Sequence, residues 1–152
     1  MLTSFYISSS KGNGKTELTS FDNALLNSGV ANYNLVKISS ILPANAKQKS
    51  KIDLVDGSVL YAAYASKSSN KKGETVSAAV AVGIPANSQN IGTIMEFSGF
   101  CDKTNAEKIV KEMVVEAMNI RGYDIKDILF ASAEACGDGE KYVTAFATLA
   151  IW

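Results

Sequence analysis

The chain has 152 residues, with fifteen basic side chains balancing fifteen acidic ones and no histidine. That length suits one domain with a core of its own, needing no metal or disulfide staple, and the balanced charge without a Lys/Arg cluster argues against a nucleic-acid or anionic-membrane partner. Without histidine the Ser-His-Asp and Cys-His nucleophiles and the common zinc sites are excluded, so chemistry falls to carboxylates, lysines, tyrosines, thiols or a group made after translation.

In chain order, residues 2–9 alternate like a strand and residues 11–15 follow as a glycine-rich turn. Leu18, Phe21 and Leu25 recur at helical spacing, predicting a helix that Gly29 closes. Asp22 shares their face, where a carboxylate ordinarily sits at the margin and reaches solvent. Residues 33–42 form one predicted strand, stopped by Pro43, with Ser39 and Ser40 near its end. Hydroxyls in such places are ordinarily satisfied by neighbouring backbone. A polar connection over 44–51 leads to a strand over 58–67, a turn over 68–73 and an alanine- and valine-rich strand over 74–84. Its small residues predict close sheet-to-sheet or subunit contact. Residues 91–98 are a further strand, with Glu96 on the face of Ile94 and Ser98 and solvent-facing by residue type. Thr104-Asn105-Ala106-Glu107 is a capping-box pattern opening a second helix, with Ile109, Val110, Val114 and Met118 in its apolar stripe and Gly122 as its stop. Strands over 125–135 and 142–152, joined at Gly137-Asp138-Gly139, close the chain. The order nearly repeats one β-α-β-β unit. By itself it predicts an α+β class.

Cys101 and Cys136 match no metal-ligand spacing and read as reduced thiols of a cytoplasmic protein. No run approaches the ~18 apolar residues of a membrane span, and the amino terminus lacks a signal-peptide layout. A competing motif is Ser9-Ser10-Lys11-Gly12-Asn13-Gly14-Lys15-Thr16, which matches a phosphate-binding loop except that Ser9 replaces the leading glycine. With no apolar strand ending in a metal-binding aspartate to accompany it, nucleotide binding is the weaker reading.

The segment Asn34-Leu35-Val36, Ser39-Ser40-Ile41 and Pro43 resembles the self-cleavage site of the pyruvoyl-dependent arginine decarboxylases. Gly12-Asn13-Gly14, Ser20-Phe21-Asp22-Asn23 and Ala31-Asn32-Tyr33 upstream are similar to the family's amino-terminal third. Val80-Ala81-Val82-Gly83-Ile84-Pro85 and Gly92-Thr93-Ile94-Met95-Glu96 downstream are similar to its middle. Ala44 departs from the pattern, where members often carry a second proline.

The resemblance implies a four-layer α/β/β/α sandwich, a homotrimer with active sites between subunits, and one domain over 1–152 cut between Ser39 and Ser40 into 1–39 and 40–152. Ser40 would attack the Ser39 carbonyl, the resulting ester would eliminate, and loss of ammonia would leave a pyruvoyl group. That covalent group would form a Schiff base with L-arginine and release carbon dioxide and agmatine, with neither metal nor pyridoxal phosphate. It further implies Glu96 as proton donor, Asn34 as orienting the scissile carbonyl in processing, and Asp22 and Ser39 as substrate-binding. Two alternatives stand beside it: the same chemistry on another amino acid, and a trimeric binding protein that never matures.

Overall fold

The computed structural model describes residues 2–152. In chain order its elements are β1 (Ser4–Gly14), α1 (Glu17–Ser28), β2 (Asn34–Lys37), β3 (Ile41–Leu42) and β4 (Lys47–Gln48). There follow β5 (Val59–Ser69), β6 (Thr75–Pro85), β7 (Gly92–Gly99), α2 (Lys103–Ile120), β8 (Ile125–Cys136) and β9 (Tyr142–Ile151). The class is α+β, as the order of elements predicts. Five strands form a mixed sheet in the order β2-β5-β9-β1-β4, and four form an antiparallel sheet in the order β3-β7-β6-β8.

Alternation along the strands distributes the core. Ala63 and Ala65 of β5 meet Ala78, Val80 and Val82 of β6 in the cluster between the sheets. Leu60 and Ala62 turn the other way with Phe146, into the cluster under α1. Ala79 and Ala81 of β6 pack under Val110, Val114 and Met118 of α2. β6 is therefore covered on both faces, which explains why its residues are small and apolar at nearly every position.

The predicted turn over 11–15 is instead the end of β1, which stays paired with β9 as far as Gly14↔Tyr142. Its glycines are there for packing. A Cβ on Gly12 would meet the backbone of Ser20, Asn23 and Ala24, and one on Gly14 would lie 2.5 Å from Ser20 N. This close approach also rotates α1 away from the face expected of it: Ser20, Ala24 and Ser28 are buried, while Leu18 is 75% exposed. Ser20 Oγ reaches Thr144 Oγ1 at 2.6 Å in that contact. The phosphate-binding resemblance is thus the by-product of a helix laid on a strand. Gly12→Ala should destabilise the fold by about 1–3 kcal/mol or more, because the obstructing atoms are backbone and must move with the helix. Urea denaturation measures it; an unchanged midpoint would mean α1 is not held this closely.

The helix ends obey local rules with one revision. Thr16 and Thr19 form a capping box at α1, and Gly29 closes it at φ 81°. At α2 the cap is Asp102, which accepts the Asn105 N–H at 2.8 Å, so the predicted box beginning at Thr104 does not form and Thr104 lies inside the helix. Gly122, at φ 67°, ends α2 as expected. In the turn before β9, the N–H groups of Lys141 and Glu140 both donate to Asp138 and hold its carboxyl below the ordinary value. Among the described residues no helix is long and apolar enough to cross a membrane.

Candidate active site

The single strand expected over 33–42 is broken at the serine pair. β2 lies parallel to β5 in the five-stranded sheet, and Ile38 N–H extends that pairing to Ala62 O at 3.1 Å. Ser40 already belongs to the other sheet, its carbonyl accepting the Ile94 N–H at 2.9 Å, and β3 continues antiparallel to β7. Ser39 is the exposed link between them. Hydrophobic periodicity did not reveal this break, because both halves are apolar and extended; only the pairing partner changes.

The crossing forces an uncommon backbone. Ser40 has φ 70°, one of two non-glycine residues with positive φ among the described residues, the other being Asn45. A left-handed L-residue costs roughly 1–2 kcal/mol, and such positions persist where the surroundings hold them. Here both of the residue's polar arms are held: the carbonyl by Ile94, and Oγ by Glu96 Oε2, to which it donates at 3.1 Å. Glu96 stands on β7 opposite Val80 and is half-buried rather than solvent-facing. Residues 40 and 96, distant in sequence, are thus in direct contact.

The other candidates lie elsewhere in the chain. Asn34 begins β2, with Nδ2 donating to Gly57 O at 2.7 Å, and the rest of the strand carries the chain roughly 10 Å away before Ile38 is reached. Asp22 is exposed on α1. That helix packs on the face of the five-stranded sheet turned away from the inter-sheet core, so a layer roughly 10 Å thick separates it from Glu96. A cleft of about 180 Å³ begins at Leu42 and Pro43, but its walls, including Ile84, Pro85 and Lys126, contain neither Ser40 nor Glu96. One group at the site went unmarked in the sequence: the Ile94 N–H. Every non-proline residue has such a donor, and only strand register shows where it points.

Comparison with known proteins places the chain among enzymes whose cofactor is a covalent pyruvoyl group. It belongs to the pyruvoyl-dependent arginine decarboxylase family, whose model matches residues 4–152. The pyruvoyl-dependent arginine decarboxylase of Methanococcus aeolicus is 42% identical over 142 residues, 93% of this chain and 85% of that protein. The enzyme of the same name from Thermococcus kodakarensis is 42% identical over 130 residues, 85% of this chain and 82% of its own. That from Methanocaldococcus jannaschii is 41% identical over 139 residues, covering 91% and 83%. The residues present suit such a group: Ser40 is a serine in a strained, doubly anchored conformation, with its hydroxyl on a carboxylate.

Proposed function

We propose that this chain decarboxylates L-arginine to agmatine and carbon dioxide, using a pyruvoyl group made from its own Ser40. The observation that carries the reading is the left-handed Ser40 with Oγ on Glu96, at the link where the backbone passes from β2 in the five-stranded sheet to β3 in the other. In maturation, Ser40 Oγ attacks the Ser39 carbonyl carbon and the peptide C–N bond breaks, giving an ester and a free amine on residue 40. Loss of the Cα proton then expels the Ser39 carboxylate. Water replaces the nitrogen, ammonia leaves, and fragments 1–39 and 40–152 remain.

Once formed, the pyruvoyl group supplies an electrophilic carbonyl that receives the substrate amine and the electrons left by carbon dioxide. The chain's residues do the rest. Glu96, touching the residue that matures, delivers a proton to the substrate α-carbon. Asp22 receives the guanidinium, a flat, permanently charged fork that a carboxylate matches with two acceptors. Ser39, at the new carboxyl terminus, borders the bound substrate.

Asp22 and Asn34 reach this centre from a neighbouring copy in a homotrimer whose sites lie between subunits. Supporting that assembly, Val36, Val59 and Tyr61 are exposed on one face beside the crossing. Each chain is one domain, a four-layer α/β/β/α sandwich of a repeated β-α-β-β unit, and acts in the cytoplasm. The packing of α1 and α2 on different sheets supports the layer order.

Weighing the purified protein tests the reading: masses of 1–39 and 40–152 are expected, with carbon dioxide released from arginine ahead of other amino acids. An intact, inactive chain would instead indicate the binding protein, and release from a different amino acid would reassign the substrate. Asp22→Asn should raise the KM for arginine roughly 10- to 100-fold, the worth of a charged hydrogen bond, with a smaller change in kcat. A fully processed variant with the original KM and arginine preference would return Asp22 to an ordinary helix-margin carboxylate.

A further inference from the structure

Ile94 is fully buried in the core between the sheets, and β6 fixes its strand from the other side through the Val82↔Ile94 register. Its N–H is therefore a donor with a set direction, aimed at the Ser40 carbonyl oxygen at 2.9 Å. Ser40, at φ 70°, makes both contacts at once, with the carbonyl on Ile94 and the hydroxyl on Glu96.

The chemistry proposed above gives the carbonyl oxygen a use of its own. After maturation, the Cα of residue 40 is trigonal and bonded directly to that peptide carbonyl. When the bond to the departing carboxylate breaks, its electron pair spreads from the substrate α-carbon across the linking nitrogen to this Cα and onto the adjoining oxygen. The pair returns to form a C–H bond when Glu96 gives its proton, so no redox partner is involved. We infer that the Ile94 N–H is an oxyanion donor for decarboxylation, stabilising the negative charge that collects on the residue 40 carbonyl oxygen as carbon dioxide leaves. A donor fixed before charge develops, beside a buried core, needs no reorganisation and acts at reduced dielectric. This inference rests on the functional reading and adds to it a group that no side-chain comparison would find.

Replacing residue 94 with the matching α-hydroxy acid turns the N–H into an ester oxygen and leaves the side chain in place. The same exchange at Met95, whose register partner is Ala81 on β6, controls for weakening the strand. Relative to that control, kcat of the mature Ile94 ester should fall ~10²–10³-fold with KM nearly unchanged. The infrared stretch of a ¹³C-labelled residue 40 carbonyl should also move to higher frequency. Equal kcat and equal stretch in the two esters would overturn the inference.

Because the Ile94 ester could fail to fold or mature, the unsubstituted mature enzyme is measured as well. A through-hydrogen-bond coupling between ¹⁵N of Ile94 and the ¹³C carbonyl of residue 40 is expected, and its absence also overturns the inference. An unsubstituted chain that never cleaves fails the functional reading and this inference with it. A cleaved, active enzyme without the coupling fails this inference alone.

Discussion

Ser40→Ala should leave the chain whole and without decarboxylase activity. Only the downstream residue of the scissile pair can supply the attacking oxygen, and only its Cα can become the ketone carbon. Alanine keeps the left-handed strain of position 40 but loses the hydroxyl that Glu96 holds, so the fold persists while the reaction has no nucleophile. Ser40→Gly should be equally uncut yet roughly 1 kcal/mol more stable than Ser40→Ala, since glycine takes positive φ without penalty. Ser39→Ala should be much milder, because residue 39 contributes its carbonyl rather than its hydroxyl. Intact mass and carbon dioxide release read all three. Clean cleavage of Ser40→Ala at the same bond would refute the assignment.

Glu96→Gln should lower kcat ~10²–10⁴-fold while changing substrate binding little, the pattern of a group that acts on a proton in the transition state. Glutamine keeps the size, and its amide oxygen still accepts from Ser40 Oγ, so maturation continues and the loss falls on turnover. Single-turnover measurements on fully cleaved protein separate the two. A normal kcat in that sample would mean the proton comes from another group and that Glu96 serves only to hold Ser40 before cleavage.

The elements were legible where local chemistry decides them. Gly29 and Gly122 stop their helices as read from sequence, and the stripe of α2 at Val110, Val114 and Met118 is the buried one. The structure departs from the sequence pattern where a distant contact overrides it. Leu18 looked like core and is exposed because Gly12 and Gly14 draw the small face of α1 inward. Residues 33–42 looked like one strand because apolar extended segments carry no mark of which sheet they join.

The candidate site divides in the same way. Ser39 and Ser40 stand out as a motif, and Glu96 stands out as a carboxylate in a strand, yet their contact depends on the placement of β3 beside β7. Asp22 and Asn34 carry no local mark of a site and are pointed to by the family resemblance alone. The separation of Asn34 from Ser40 follows from the run of β2, and that of Asp22 from the layering of the fold, which residue spacing does not encode.

The passage of the backbone between sheets also bears on what the protein becomes afterwards. A cut after Ser39 would sever the covalent link between β2 and β3, while β1 is held by its pairing between β9 and β4. On the proposed maturation the molecule would then be two polypeptides sharing one five-stranded sheet, and its unfolding would also be a dissociation. Its melting temperature would depend on concentration through that step, which is absent from the precursor, whose segments are tethered. Folding would come first and the cut second, so a denatured mature enzyme would lack the chain connectivity with which it first assembled.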